Sequence, residues 1–240
     1  MSAQSPRPLA LVTGAAVRIG AALAGHLAEK GFDLLLHACG SDLTATRNAC
    51  EQAGATVREL RADLSSGEEL AELCRQAGEQ GGLNLLVNSA AVYPESEFGS
   101  LSFDNLSSTF AINLFAPVLL TRQLQLDDGA LVVNLLDSRV RETHFGYSLT
   151  KQALAEATTH MACRLAPRVR VNAICPGPVL PPIGMEGTTD ARAYMRALVE
   201  STPLQRQPGL ADLTLALDYL LAARTVTGQL LFVDGGEHLT

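Results

Sequence analysis

Seven short strand candidates, Leu9–Thr13, Asp33–Ala38, Thr56–Arg61, Leu83–Asn88, Ala130–Leu135, Arg168–Ile174 and Gln229–Val233, most of them apolar, alternate with longer helical patterns from one end of the chain to the other. The helical patterns cover Ile19–Lys30, Leu43–Ala53, Glu68–Gln80, Phe103–Leu126, Gly146–Leu165, Asp190–Ser201 and Leu210–Ala223. Strand–helix–strand alternation of this kind is the mark of parallel βαβ units, because a parallel pair of strands needs a long crossover, usually a helix. The expectation is a single α/β domain over residues 1–240, with one open seven-stranded parallel sheet and helices on both faces. No low-complexity linker or internal repeat marks a boundary, and 47% hydrophobic residues against 18% charged leave enough apolar material for one large core.

Charge and cysteine usage exclude several classes of function. A formal charge of −7 without a basic run argues against a general nucleic-acid binder, so any anionic ligand must be held locally. No apolar run approaches membrane-spanning length, and Leu9–Val12 is too short for a signal-peptide core. Five cysteines with no CxxC and no metal-ligand spacing suit a reduced, cytoplasmic protein without a metal site. Two helical stretches, Thr109–Leu120 and Ser148–Leu165, carry small or apolar residues on almost every face. Such helices need cover on both sides. The sheet covers one, and either a second copy of the chain or flanking loops cover the other.

The first strand runs into Thr13-Gly14-Ala15-Ala16-Val17-Arg18-Ile19-Gly20 and then a helix. A strand, a glycine turn and a helix N-terminus build an anion site from backbone N–H groups and the helix dipole. Gly14 permits the tight turn and Gly20 lets helix and sheet approach closely. Arg18 stands where a dinucleotide fingerprint has its middle glycine; its guanidinium pairs with phosphate, lines the pocket beyond it, or is a solvated surface group. In NAD-binding folds an acidic residue after the second strand takes the ribose hydroxyls. Here Leu36-His37-Ala38-Cys39-Gly40-Ser41 has no carboxylate before Asp42 to repel a 2′-phosphate, which favours NADP; the strand end has no arginine to bind that phosphate, and Arg18, His37 and Ser41 are its candidate partners.

Only two lysines occur, and one of them, Lys151, lies four residues after Tyr147. Residues i and i+4 share a helix face, and a cation beside a phenol favours the phenolate, so Tyr147 is a candidate general acid. The alternative is a buried aromatic beside a snorkelling lysine.

Together these residues resemble the short-chain dehydrogenase/reductase family over nearly the whole chain. Thr13-Gly14…Gly20 is similar to its cofactor turn, Asp63-Leu64 to its adenine contact, and Asn88-Ser89-Ala90-Ala91 to its Asn-Asn-Ala-Gly turn. Asn113 matches its helix asparagine, Tyr147-Ser-Leu-Thr-Lys151 its Tyr-x-x-x-Lys, and Pro176-Gly177 the turn beside the nicotinamide, while Val226-Thr227-Gly228…Val233-Asp234-Gly235-Gly236 resembles its last strand. Within the family the likeness runs to pteridine reductases and dihydromonapterin reductases, which carry Thr-Gly-Ala-Ala-x-Arg-x-Gly and an aspartate, here Asp137, in place of the catalytic serine. The tail through Glu237-His238-Leu239 is also similar to theirs.

The resemblance implies a doubly wound Rossmann fold, a homotetramer, and NADPH held by Gly14, Arg18, Ile19, Gly20, Asp63, Leu64, Asn88, Ala90, Tyr147, Lys151, Pro176, Gly177 and Val179. It implies catalysis by Asp137, Tyr147 and Lys151, with Asn113 supporting a water chain, and a substrate site of Arg18, Tyr93, Asp137 and Tyr147. The chain departs from the pattern in three places. Nine residues, not twelve, separate Asp137 from Tyr147, so the loop bearing Arg139, Arg141 and His144 is short. Ser89-Ala90-Ala91 replaces the usual turn, and Val92-Tyr93 replaces the aromatic that stacks on a pterin. Tyr93 either stacks in its place or packs a loop. Ser138 takes an ordinary serine role if the short loop shifts register, and Asp137 alternatively caps that loop. Residues 179–196, which follow Pro178 and contain Pro181, Pro182, Gly184 and Gly187, read as a substrate flap or as a plain connection. Three functions remain open: a pterin reductase, a ketone or 3-oxoacyl reductase, and a dinucleotide-sensing protein without catalysis.

Overall fold

The structure, a computed structural model, describes residues 7–139, 144–181, 184–185 and 187–240. Its strands are β1 (Leu9–Val12), β2 (Asp33–Ala38), β3 (Val57–Arg61), β4 (Leu83–Asn88), β5 (Leu126–Leu135), β6 (Arg170–Pro176) and β7 (Leu230–Val233). Its helices are α1 (Arg18–Glu29), α2 (Thr44–Gln52), α3 (Gly67–Gly78), α4 (Phe103–Phe110), α5 (Ala116–Gln123), α6 (Phe145–Leu165), α7 (Thr189–Glu200) and α8 (Leu210–Ala222). All strands pair in parallel in the order β3-β2-β1-β4-β5-β6-β7, a single-domain Rossmann fold.

Alternate residues of each strand face opposite covers. On one side α1, α2 and α8 press Leu23, Leu27, Cys50, Leu213 and Leu217 onto Ala10, Val12, Leu34, Leu36, Leu85 and Val133. On the other, α3, α5 and α6 bring Leu70, Leu73, Leu120 and Ala162 against Leu11, Leu35, Leu60, Leu86, Val132 and Val171. Each fully buried Leu or Val stabilises by roughly 1.5–3 kcal/mol relative to exposure, so the central strands are held rigidly. The winding reverses between β1 and β4, which opens a crevice at their carboxyl ends.

One expected helix is built differently. The pattern Phe103–Leu126 divides into α4, a π-helical turn at Ala111–Phe115, and α5, which ends at Gln123. Leu124 is extended, and Leu126 pairs with Leu83 to start β5 earlier than the apolar run suggested. Asp127, Asp128 and Gly129 hid this start, because they occupy an irregular stretch where the register with β4 shifts between Leu83 and Leu85.

Candidate active site

The crevice is set by backbone packing. Gly14 has φ +64, and a Cβ there would sit 2.8 Å from the Ala90 Cα. A Cβ on Gly20 would sit 2.2 Å from the Gly14 carbonyl oxygen. Side chains at either position would fill the space between β1 and the turn after β4. Thr13 binds the two walls together: its Oγ1 accepts from the Ser89 and Ala90 N–H groups at 3.0 and 3.1 Å. No side chain caps the N-terminus of α1 and no acidic residue lies in its first turn, so the helix presents its positive end to the crevice. Ile19 packs on the core behind it. These features fit the diphosphate of a dinucleotide.

Arg18 adopts φ +57, and its guanidinium donates to the Pro181 carbonyl at 2.9 Å. It therefore bridges the turn to the first residues of the expected flap. Of that segment, Thr189 to Arg196 are helical, with Thr188 capping α7 by accepting from the Ala191 N–H at 3.0 Å. Pro182, like Arg141 of the catalytic loop, lies outside the described residues.

His37 corrects an expectation. Its imidazole is 2% exposed, accepts from the Gly14 N–H at 3.4 Å through Nδ1, and donates from Nε2 to the Ala62 carbonyl at 3.0 Å. It buttresses the turn from within and cannot reach a phosphate outside. Arg61 lies outside this turn, beside Ser41. The β2–β3 register places it beside Ala38, its guanidinium donates to the Ser41 carbonyl, and it shares Glu59 with Arg47. Asp63 folds onto Ser65, accepting from its N–H at 2.9 Å and its hydroxyl at 2.7 Å, and these bonds hold the Asp63 carboxyl below its usual range. Leu64 is buried under the same turn.

Beyond the crevice, Asn88 donates to Asn134 at 2.8 Å and Asn134 to Thr158 at 2.9 Å, a buried polar chain from β4 through β5 to α6. Asn113, buried in the π turn, accepts from the Val92 N–H at 2.8 Å and donates to the Val92 carbonyl at 2.9 Å and to Thr150 at 3.3 Å. A π turn at a functional site is common because it re-aims one side chain without ending the helix. Here it fastens the segment carrying Tyr93 to α6.

Tyr147 and Lys151 occupy the inner face of α6. Lys151 Nζ donates to the Leu135 carbonyl at 2.7 Å and lies 5.5 Å from the centre of the Tyr147 ring. Burial lowers the lysine from its ordinary 10.5 to about 8, with Asp137 and Cys175 opposing the fall. Tyr147 Oη donates to Asp137 Oδ2 at 3.0 Å, and Asp137 Oδ1 accepts from the Arg139 N–H at 3.1 Å. Asp137 thus caps its loop with one oxygen and meets the tyrosine with the other. Ser138 turns away: its N–H donates to the Pro176 carbonyl at 3.1 Å and its hydroxyl to Glu237 at 2.6 Å. Tyr93 stacks on His144 at 3.7 Å and meets the Tyr147 ring edge-on at 4.5 Å. Pro176, Gly177 and Val179 form a tight turn against β7, where a Cβ on Gly177 would lie 2.6 Å from the Asp234 Cα. Val179 is fixed by Gln207, whose side chain donates to its carbonyl at 3.0 Å.

A Rossmann sheet whose crevice ends on a tyrosine, a buried lysine and an asparagine defines an oxidoreductase that works on a bound dinucleotide. The chain belongs to the short-chain dehydrogenase/reductase family: a family model described as enoyl-(acyl carrier protein) reductase matches residues 14–238. Among its relatives is an uncharacterised oxidoreductase of Mycobacterium tuberculosis, 34% identical over 95% of this chain and 91% of that protein. The dihydromonapterin reductase of Klebsiella pneumoniae is 28% identical over 100% of both chains. The crystal structure of FolM alternative dihydrofolate reductase 1 from Brucella canis, complexed with NADP, superposes with a TM-score of 0.86 at 36% identity, covering 97% of this chain and 95% of that one.

Among the described residues no helix is long and apolar enough to cross a membrane, and no group of three or more His, Cys, Asp or Glu side chains is placed to hold a metal ion.

Proposed function

We propose that this protein is an NADPH-dependent reductase that adds hydride to a C=N bond of a pterin-like ring, with Tyr147 as proton donor. The observation that carries the reading is the 3.0 Å hydrogen bond from Tyr147 to Asp137. A serine hydroxyl in that place only hydrogen-bonds, whereas a carboxylate accepts from an amino-substituted ring through two oxygens and also exchanges a proton with the tyrosine. The dihydromonapterin reductase and FolM relatives support the same assignment.

When bound, the nicotinamide supplies the hydride. The turn of Gly14 to Gly20 would hold the diphosphate, and Tyr147 with Lys151 would bind the nicotinamide ribose. Tyr147 protonates the reduced nitrogen. The Lys151 ammonium stabilises the phenolate left behind, and Asp137, which accepts a hydrogen bond from the phenol at rest, releases that bond as the hydroxyl turns to the substrate nitrogen. Asn113 holds Val92 and Tyr93 at the lip of the site. Arg61 and the Ser41 turn receive the 2′-phosphate, since no carboxylate intrudes between Ala38 and Ser41 and a guanidinium matches a phosphate in geometry and charge. Residues 179–196, tied to Arg18, close over the substrate.

One observation favours reduction of a ketone or 3-oxoacyl group as a second reading: one face of Tyr93 is covered by His144, so the residue in the place of the stacking aromatic already has a partner. NADPH oxidation with dihydromonapterin or dihydrobiopterin, run beside an acetoacetyl thioester with Tyr147→Phe as control, decides between them. Tyr147-dependent turnover of the pterin supports the first reading and turnover of the thioester alone the second; NADPH binding without turnover of either points to a sensor.

The protein also reads as a cytoplasmic homotetramer. Five free cysteines suit a reducing compartment, and the exposed Phe103 and Phe115 beside α6 supply an apolar face for a second copy. Light scattering on the eluted protein tests the assembly.

A further inference from the structure

The C-terminal turn reaches the catalytic loop through a carboxylate that the reaction scheme leaves unused. After β7, Asp234 accepts from the Gly236 N–H at 2.9 Å, from the His238 N–H at 2.8 Å and from the His238 ring at 2.7 Å. These bonds coil the chain tightly and drive Glu237 inward until it is 0% exposed. Its Oε2 accepts from the Ser138 hydroxyl at 2.6 Å, and Oε1 lies 3.7 Å from the Arg139 guanidinium. A separation of 2.6 Å is a short hydrogen bond from a hydroxyl to a carboxyl oxygen. Burying such a group is costly unless it is paired, and among its partners are the two residues that follow Asp137.

The loop needs this support. Only nine residues join Asp137 to Tyr147, so a one-residue slip would exchange Asp137 and Ser138 at the tyrosine. Ser138 is fixed from two directions, by the Pro176 carbonyl on its N–H and by Glu237 on its hydroxyl. With Ser138 turned inward, the preceding side chain points to Tyr147, and the Arg139 N–H closes on the other oxygen of Asp137.

We propose that Glu237 is a positioning residue for the reaction: by holding Ser138 and Arg139 it sets the register in which Asp137, and not Ser138, meets Tyr147. The role rests on the Asp137–Tyr147 reading above, and one of its two tests does not depend on turnover.

The first test is a double-mutant cycle on kcat, with Glu237→Ala made in the wild type and in Asp137→Ala. Glu237→Ala lowers kcat at least tenfold in the wild type and less than twofold once Asp137 is gone, and Glu237→Gln, whose amide oxygen still accepts from Ser138, restores most of the loss. Equal losses in both backgrounds would mean a general structural role and overturn the proposal. The second test is the ¹³C NMR signal of the Tyr147 ring, assigned with Tyr147→Phe. It moves in Glu237→Ala toward its position in Asp137→Ala and stays near the wild-type position in Glu237→Gln. An unmoved signal in Glu237→Ala overturns the proposal whatever the substrate proves to be. Should Glu237→Ala not fold, Ser138→Ala, which removes the same bond from the other side, carries both tests with the same expected outcomes.

Discussion

The cofactor turn follows β1 and the catalytic loop follows β5, with β4 between them in the one sheet, yet they are made of different materials. Around Gly14 and Gly20 the site is main chain: carbonyls, N–H groups and the room that absent side chains leave, with His37 and Thr13 bracing from behind. Around Asp137 and Tyr147 it is side chains, held by partners from four separate stretches of sequence, near Val92, Asn113, Pro176 and Glu237. A main-chain site tolerates drift in side chains and recognises what all dinucleotides share. A side-chain site changes its chemistry with one residue, which is how a common scaffold comes to serve different substrates.

The sharpest test of that division is Tyr147→Phe. It lowers kcat by about 10²–10⁴-fold, the usual worth of a positioned proton donor, while the dissociation constant for NADP⁺ changes less than about twofold. Joint loss of binding and rate would mean that the two regions are not separable. Next comes Arg61→Gln, which weakens 2′,5′-ADP by about 10–100-fold, the worth of a charge-assisted hydrogen bond, and leaves 5′-AMP unaffected in calorimetry. If both nucleotides bind as before, the 2′-phosphate lies elsewhere.

Gly20→Ala probes the main-chain region directly. The added Cβ meets the Gly14 carbonyl oxygen at 2.2 Å, and overpacking of that kind costs about 1–3 kcal/mol, seen as a melting temperature lowered by roughly 2–10 °C. In the side-chain region the corresponding stability signal is pH-dependent. Lys151 loses its proton near 8 in the folded protein and near 10.5 when unfolded, so the unfolded chain binds the extra proton between those values. Stability relative to Lys151→Met therefore rises as pH increases from about 8 toward 10.5, and the full burial penalty applies below that window. Denaturant titrations at several pH values measure it; a difference that falls across the window would contradict the burial of a charged amine. The smallest effect belongs to Tyr93→Leu, which removes two ring contacts and costs about 0.5–1.5 kcal/mol, with kcat changed only a few-fold if Tyr93 merely packs.

The same division decides what the sequence reveals. Glycine requirements and the Tyr147–Lys151 spacing are local, so both can be read from neighbouring letters. His37, Arg61 and Glu237 cannot, because their roles depend on packing across the sheet. His37 looks like a surface ligand beside Ser41, and only the fold shows its ring turned inward. Arg61 stands apart from the second strand in sequence and becomes its neighbour once Ala38 and Arg61 are in register. Glu237 meets a partner 99 positions away. The π turn escaped for another reason: its residues are as apolar as those of an uninterrupted helix, and only the polar Asn113 inside it hints that one face has been redirected.

His37 also gives the molecule a built-in gauge. Because Gly14 donates to one ring nitrogen and Ala62 accepts from the other, the imidazole is confined to one tautomer, and burial holds its pKa below the ordinary 6.5. The two nitrogens of a ¹⁵N-labelled ring should then resonate far apart, and any opening of the nucleotide turn would draw them together, so a single buried ring reports on a loop that has no chromophore of its own.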